Sequence, residues 1–197
     1  MNPILIVDDD ADFRESLSWL LESAGYDSRG FDSAEAFLRE YQGEPACLLL
    51  DVRMTGMSGL ELQRQLLDKA YQIPVILITG HGDVPMAVAA MKNQAFDFIS
   101  KPFDDESLLT IIAKAVADIP RRFELQEQLS EARSYWQELS RREQEVAHLV
   151  AGGASNKGLA ETLGISVKTV EIHRSRVMKK MQADNLAALI QKINLLG

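Results

Sequence analysis

The sequence predicts an α/β domain, in which helices cover both faces of a five-stranded parallel sheet, followed by a smaller all-α domain. Up to about residue 118, short apolar runs alternate with amphipathic stretches, as in strand and helix units that build a parallel sheet. Beyond about residue 140 the pattern is helical only. The charge also changes: residues 1–118 carry 9 Lys and Arg against 20 Asp and Glu, whereas residues 119–197 carry 12 against 9.

The elements of the first domain follow from hydrophobic periodicity and turn residues. The predicted strands are Ile4–Val7, a weak one at Tyr26–Phe31, Cys47–Leu50, Pro74–Thr79 and Phe96–Ser100. The predicted helices are Phe13–Ala24, Ala34–Tyr41, Leu60–Ala70, Val84–Asn93 and Glu106–Ala117. Ten elements in this length fit one compact three-layer domain, residues 1–118.

Residues 119–139 are predicted to be a helical linker. Pro120 and the basic pair that follows it interrupt the preceding pattern, and apolar residues then repeat at spacings of four and three from Leu125 to Leu139. Two heptads are too few to be stable alone. The linker is therefore expected either to lie on one of its own domains, which we favour, or to pair with a second chain.

Composition limits the classes of protein. Hydrophobic residues make up 46% of the chain, enough for sizeable cores. No apolar stretch approaches the roughly 20 residues that a membrane span needs, and Ile4–Val7 is too short for a signal peptide. The single cysteine, Cys47, excludes an internal disulfide and is typical of a cytoplasmic protein. The acidic first part and the basic remainder suggest an acidic domain joined to a nucleic-acid binder.

Acidic side chains follow two of the predicted strands. Asp8 and Asp9 come directly after the first strand, and Asp51 ends the third. If these strands are neighbours, as in a sheet of order 2-1-3-4-5, the carboxylates converge at one edge. Converging carboxylates need a cation, and oxygen ligands suit Mg²⁺. Asp10 and Asp12 stand at the start of the first helix, where aspartate commonly serves as a turn or capping residue.

Two further strand ends complete this edge. Thr79 closes the fourth strand, and Lys101 closes the fifth and precedes Pro102. A carboxylate that attacks a phosphoryl group needs its charge offset by a metal ion or an ammonium group, while a hydroxyl can hold a phosphoryl oxygen. The combination of these residues at four strand ends indicates phosphoryl chemistry more strongly than any one of them.

The first domain resembles the receiver domain of two-component response regulators, most closely the FixJ-like branch. The motifs that carry the resemblance are Val7–Asp9, Asp51–Met54, Thr79–Ala87 and Lys101–Phe103. The resemblance implies a sheet of order 2-1-3-4-5 and a phosphoacceptor, Asp51, which takes a phosphoryl group from the phosphohistidine of a sensor histidine kinase. It also implies that Asp9, Asp51 and the backbone carbonyl of Arg53 bind Mg²⁺ directly, with Asp8 acting through water.

The same resemblance assigns the switch. Thr79 and Lys101 would bind the phosphoryl oxygens, and the Lys101–Pro102 peptide bond would be cis. Phe98 stands where receivers of this type have an aromatic residue that swings inward as Thr79 moves. Alternation along the fifth strand leaves open that Phe98 is simply a core residue.

Two positions next to the motifs and two departures bear on regulation. Arg53 and His81 are expected to flank the mouth of the pocket and to influence how long the phosphoryl group persists. Thr55 stands where most of the family has proline, and Asn93-Gln94 replaces the usual small residue and glycine. Both departures are expected near the signalling surface, where they would affect loop rigidity and dimer contacts more than phosphorylation.

Residues 140–197 are predicted to form a helix-turn-helix domain. Ser140 and Glu143 form a capping-box start, and Gly164 opens the turn into a helix that begins at Val167. Residues 139–197 resemble the LuxR/FixJ-type helix-turn-helix through Ser140–Val146, Ser155–Lys157 and Ile165–His173. Gly158 is a departure, since the family usually has a longer side chain there.

The predicted DNA contacts divide into two groups. By resemblance, five residues would contact mainly phosphates: Lys157, Lys168, Thr169, Arg174 and Lys179. Three residues are better placed for base edges: Glu171, Ile172 and Ser175. Val170, Val177 and Met181 share the opposite face of the same helix. The alternative for each charged position is an ordinary solvated helix face.

The sequence therefore predicts a DNA-binding transcription regulator that phosphorylation of Asp51 switches to a dimer on promoter DNA, with RNA polymerase as a further partner. We expect no enzymatic activity beyond the receiver's own phosphorylation and slow dephosphorylation. One alternative is a regulator that binds DNA without phosphorylation and uses its receiver only to dimerise. A second is a haloacid-dehalogenase-like phosphatase, because Ile4–Asp10 matches the strand and Asp-x-Asp start of such enzymes, although their later acidic motif is missing.

Overall fold

The computed structural model describes residues 2–80 and 84–197, so that the predicted pocket residue His81 lies outside the described residues. The chain divides into two compact units, residues 1–126 and residues 127–197.

The first unit contains a parallel sheet. Its strands are β1 (Ile4–Val7), β2 (Ser28–Phe31), β3 (Cys47–Asp51), β4 (Val75–Thr79) and β5 (Asp97–Ser100). They pair in the order β2-β1-β3-β4-β5, which confirms the predicted fold class and topology. Every residue of β1, β3 and β4 is buried, as expected of strands with helices on both sides.

Five helices pack on the two faces of this sheet. They are α1 (Ala11–Ser23), α2 (Ala34–Glu40), α3 (Gly59–Asp68), α4 (Val84–Lys92) and α5 (Asp105–Gln137). Side chains of α1 and α5 share one buried cluster with Ile4 and Ile6, while α2, α3 and α4 share another with Leu5 and Val7. Alternate side chains of β1 therefore point to opposite faces of the sheet and contribute to both cores.

Side-chain caps determine where several of these helices begin. The Asp10 carboxylate accepts hydrogen bonds from the backbone N–H groups of Asp12 and Phe13, which confirms its predicted role as a capping residue. Ser58 and Glu61 form a capping box at the start of α3. Because α3 follows β3 closely, this cap also anchors the loop after Asp51.

The helix α5 is longer than predicted, and the expected interruption at Pro120 is wrong. The helix continues through Pro120 to Gln137, and the division between the two units falls within it. Proline removes one backbone hydrogen bond, but Ile119 next to it is buried with Ile112 in the core. Asp118 also pairs with the two arginines that follow the proline. The burial of Ile119 and the helix-forming residues that follow Pro120 stabilise the helix across the proline.

The second unit adds four short helices to the end of α5. They are α6 (Arg141–Ala151), α7 (Asn156–Leu163), α8 (Val167–Lys180) and α9 (Leu186–Leu196). The capping box of Ser140 and Glu143 is present, as predicted. Gly164 ends α7 with a left-handed conformation (φ 65°), which forms the tight turn into α8.

Apolar side chains of all these helices form one core. Val170, Val177 and Met181 are buried in it, which confirms the predicted inner face of α8. Trp136 and Leu139, from the predicted linker, pack in the same core. This contact fits the interpretation that the linker lies on one of its own domains. In the described part of the chain, no helix is both long and apolar enough to span a membrane.

Candidate functional site

The predicted pocket residues meet at one edge of the sheet. Asp8 follows β1, Asp51 ends β3, Thr79 ends β4 and Lys101 follows β5. The parallel register aligns these ends, because Val7 pairs with Leu50 and Thr79 is level with Ser100. Asp8, Asp51 and Thr79 are buried, with 3%, 7% and 0% of their surface exposed. Four separate strands therefore deliver polar side chains to one small volume.

Lys101 joins the two buried carboxylates. Its Nζ atom lies 3.0 Å from Oδ2 of Asp8 and 2.9 Å from Oδ1 of Asp51. The other oxygen of Asp51, Oδ2, accepts a hydrogen bond from the backbone N–H of Arg53 at 2.7 Å. The Asp51 carboxylate is thus held at both oxygens. The Lys101–Pro102 peptide bond is cis, as predicted.

The electrostatics of the pocket reflect crowding of negative charge. Burial raises the pKa of Asp51, and the neighbouring charge of Asp8 raises it further, against the lowering effect of Lys101. Burial alone would lower the pKa of Lys101, but hydrogen bonds to Asp51 and Asp8 raise it above its ordinary value. The ammonium group therefore stays protonated, and further positive charge nearby would stabilise the ionised form of Asp51.

The third predicted carboxylate, Asp9, has different partners. Its Oδ2 atom accepts hydrogen bonds from the backbone N–H of Thr55 at 2.8 Å and from the Thr55 hydroxyl at 2.9 Å. These bonds lower the pKa of Asp9. Among the described residues, no three acidic, histidine or cysteine side chains are already arranged around a common metal position. Asp9 is thus at the pocket but turned toward the loop after β3.

The contact with Thr55 bears on one expectation from the sequence. We predicted that Thr55 lies near the signalling surface rather than in the pocket, but it is an exposed residue that contacts the predicted pocket residue Asp9. The loop between β3 and α3 folds back over the strand ends, so that position 55 reaches the carboxylate that follows β1. The sequence offered one signal, the replacement of the family's proline by a residue with two donor groups.

Two other residues at the pocket were missed as functional candidates. The ring of Phe13, which was predicted only as part of a helical face, lies with its centroid 3.6 Å from Nζ of Lys101, a cation–π contact. Gly59 starts α3 where a Cβ atom would lie 2.1 Å from the backbone oxygen of Asp51. Only glycine fits this position without a shift of the backbone, and no local sequence pattern indicates this requirement.

The remaining predicted receiver residues are Arg53 and Phe98. Arg53 is exposed, and its backbone belongs to the loop after β3. Phe98 is half-buried and packs, together with Met86 of α4, against the core on the α2, α3 and α4 face. Its position next to α4 suits a switch residue, but the packing itself is also that of an ordinary core residue.

In the second unit, the predicted DNA-contacting residues divide by exposure. Six are exposed on α7 and α8: Lys157, Lys168, Glu171, Ile172, Ser175 and Lys179. The other two are half-buried and already have partners. Arg174 donates a hydrogen bond to the side-chain oxygen of Asn156 at 2.7 Å, and the Thr169 hydroxyl lies 2.8 Å from that of the capping residue Ser166.

Comparison with known proteins identifies both units. Residues 4–113 match the response regulator receiver domain, and residues 137–193 match the bacterial regulatory proteins of the luxR family. The response regulator protein TmoT of Ectopseudomonas mendocina is 46% identical over 189 residues, which cover 95% of this chain and 86% of that protein. The transcriptional regulatory protein FixJ of Bradyrhizobium diazoefficiens is 40% identical over 189 residues, with 95% and 92% covered.

Solved structures give the same result for the whole chain. The response regulator StyR shares 40% identity with a TM-score of 0.61, over 98% of this chain and 99% of that chain. Full-length FixJ from B. japonicum shares 38% identity with a TM-score of 0.57, over 100% and 97%. The chain therefore belongs to the FixJ-like response regulators, in which a receiver domain is joined to a LuxR-type DNA-binding domain.

Proposed function

We propose that this chain is a transcription regulator whose DNA binding is controlled by phosphorylation of Asp51, with a cognate sensor histidine kinase as the phosphoryl donor. The observation that supports this is the contact of Lys101 with two buried carboxylates, Asp8 and Asp51, in a chain that also carries a DNA-binding domain. The receiver would catalyse only its own phosphorylation and the slow loss of the phosphoryl group.

The chemistry assigned to Asp51 is nucleophilic. An oxygen of the ionised carboxylate attacks the phosphorus of the kinase phosphohistidine, the bond from phosphorus to nitrogen breaks, and the imidazole nitrogen leaves with its electron pair. Bonds from Lys101 and from the Arg53 N–H orient the carboxylate before attack. The Lys101 ammonium group also offsets negative charge on the transferred group.

The donor set of the pocket fits a divalent cation. Asp8, Asp9 and Asp51 carry three negative charges and Lys101 carries one positive charge, which leaves a surplus of two. Asp9, Asp51 and the backbone carbonyl of Arg53 would hold Mg²⁺ directly, and Asp8 would act through water. When bound, Mg²⁺ would offset the charge that accumulates on the phosphoryl oxygens.

Phosphorylation replaces the single charge of Asp51 by a larger one. The hydroxyl of Thr79, at the end of β4, would bind a phosphoryl oxygen, and Phe98 on the neighbouring strand would turn inward behind it. This movement changes the surface around α4 and β5 and favours a homodimer, whose two DNA-binding domains grip two half-sites of promoter DNA. Such a target implies action in the cytoplasm, with RNA polymerase as the downstream partner.

The test is the intact mass of the chain after incubation with acetyl phosphate and Mg²⁺, with Asp51→Asn as the matched control. The proposal predicts a single gain of about 80 Da, the mass of one phosphoryl group, in the wild type and none in Asp51→Asn. No gain in the wild type would favour a phosphorylation-independent regulator. Steady turnover of a phosphomonoester, without a stable adduct, would instead favour a phosphatase.

A further inference from the structure

Thr55 holds one of the predicted metal ligands through two hydrogen bonds. Its backbone N–H and its hydroxyl both donate to Oδ2 of Asp9, at 2.8 Å and 2.9 Å, across 46 positions of the chain. Both bonds depend on the residue type, because proline, which most of the family has at this position, offers neither an N–H nor a hydroxyl. A receiver with proline at this position could therefore make neither bond.

The bonds hold Asp9 toward the loop after β3, whereas the other two carboxylates share Lys101. Asp8 and Asp51 are buried and share Lys101, whereas Asp9 is exposed and its Oδ2 atom is directed to the loop after β3. Among the described residues no three side chains of metal-ligand type surround one position. To complete such a set, the Asp9 carboxylate would move toward Asp51, in competition with its bonds to Thr55.

We propose that Thr55 is a positioning residue that restrains Asp9 in the metal-free receiver and thereby weakens Mg²⁺ binding relative to a receiver with proline at this position. The inference rests on the proposed function, since it assumes that Asp9 is a metal ligand. It implies that this receiver needs a higher Mg²⁺ concentration for phosphorylation than a variant without the restraint.

The competing explanation is that Thr55 only stabilises its own loop. Gly56, the next residue, has a left-handed conformation (φ 84°), and the loop is tied to α2 by a hydrogen bond from the Met57 N–H to Glu35. A loop role predicts damage to stability and to phosphorylation when Thr55 is replaced. A restraint on Asp9 predicts tighter metal binding instead, so the two explanations differ in the sign of the effect.

The experiment is a calorimetric titration of the full chain with Mg²⁺, using Thr55→Val, Thr55→Pro and Thr55→Ser. Valine removes only the hydroxyl, proline removes both donors, and serine keeps both. We expect Mg²⁺ binding to be about threefold tighter for valine and about tenfold tighter for proline, in line with the strength of hydrogen bonds to a partly exposed charged group. Serine should leave the affinity at the wild-type value.

A double-mutant cycle with Asp9→Asn separates the restraint from general effects on the loop. In the Asp9→Asn background, Thr55→Val should leave the Mg²⁺ affinity unchanged, because the charged partner is gone. Unchanged or weaker binding by Thr55→Val alone, or the same gain in both backgrounds, would overturn the inference. A wild type that takes up neither Mg²⁺ nor a phosphoryl group would instead overturn the proposed function on which it rests.

Discussion

Replacement of Lys180 by methionine is expected to destabilise the DNA-binding unit by about 2 kcal/mol. Nζ of Lys180 lies 2.7 Å from Oε2 of Glu143, whose side chain is only 4% exposed. The same ammonium group donates to the backbone oxygen of Glu138 at 3.1 Å. The pair connects the start of α6 to the end of α8, so the helix that carries the predicted DNA contacts depends on it.

The magnitude follows from the pKa of Glu143. Burial alone would raise this pKa, but hydrogen bonds from Lys180 and from Ser140 outweigh burial and lower it from 4.5 to about 2. The difference corresponds to about 3 kcal/mol in favour of the folded state at neutral pH. Lys180 makes the largest of the favourable contributions. Because its side chain is 37% exposed, we reduce its share to about 2 kcal/mol.

Urea unfolding of the full chain, followed by fluorescence, measures this effect. Trp136 packs in the second unit, with its ring centroid 4.8 Å from that of His148, whereas Trp19 belongs to α1 and is 69% exposed. A Trp19→Phe background therefore makes the signal specific for the DNA-binding unit. The matched control is Lys179→Met, since Lys179 is exposed and has no ion pair among the described residues.

The two methionine variants should differ clearly in the stability of the DNA-binding unit. Lys180→Met should lower the urea midpoint, while Lys179→Met should lie within about 0.5 kcal/mol of the parent, as surface substitutions usually do. Equal stabilities of the two variants would refute the assignment of this buried ion pair as a stabilising contact.

Three further predictions follow from the same structure. The folded-state pKa of Glu143 is lowered, so its contribution to stability is present above pH 4.5 and is lost as the pH falls toward 2. The urea midpoints measured at about pH 5 and about pH 3 should therefore differ more in the parent than in Lys180→Met. Gly59→Ala should cost about 2 kcal/mol or more in receiver stability, because the added Cβ would lie 2.1 Å from a backbone oxygen. Gly158→Ala should instead stabilise its helix by about 0.5–1 kcal/mol, because the added Cβ would meet only a hydroxyl at 3.6 Å. Thermal unfolding that ranks the two variants the other way would contradict this. Lys168→Ala should reduce the slope of log affinity for DNA against log salt concentration by about 1. Arg174→Ala should reduce it by less, because the Arg174 guanidinium group already donates a hydrogen bond to a side chain of its own domain. Salt titrations that give equal slopes for the two variants would count against this.

Much of the fold was predictable because burial on both faces leaves a strong local pattern. Strands β1, β3 and β4 are continuous apolar runs, and their burial confirms what those runs predict. The pocket was predictable for a related reason. Asp51 and Thr79 end buried apolar strands and Lys101 directly follows β5, so the topology alone brings them together.

The features that sequence reasoning missed depend on contacts between distant residues. The bonds from Thr55 to Asp9 exist because a loop folds over a strand end 46 positions away. Phe13 faces Lys101 for a similar reason, since α1 and β5 meet only in the folded unit. The continuity of α5 through Pro120 reflects tertiary burial that outweighs a local helix-breaking preference. In each case the deciding interaction is a tertiary contact that periodicity does not encode.

The central claim is that the phosphoryl group on Asp51 controls DNA binding. Its most direct test is to select binding sites from random double-stranded oligonucleotides with the acetyl phosphate-treated full chain, and then to measure anisotropy of a labelled selected site. Acetyl phosphate and Mg²⁺ should increase the DNA affinity of the wild type at least about tenfold, a coupling of typical size, and leave that of Asp51→Asn unchanged. Equal affinities of treated and untreated wild type would contradict control of DNA binding by phosphorylation.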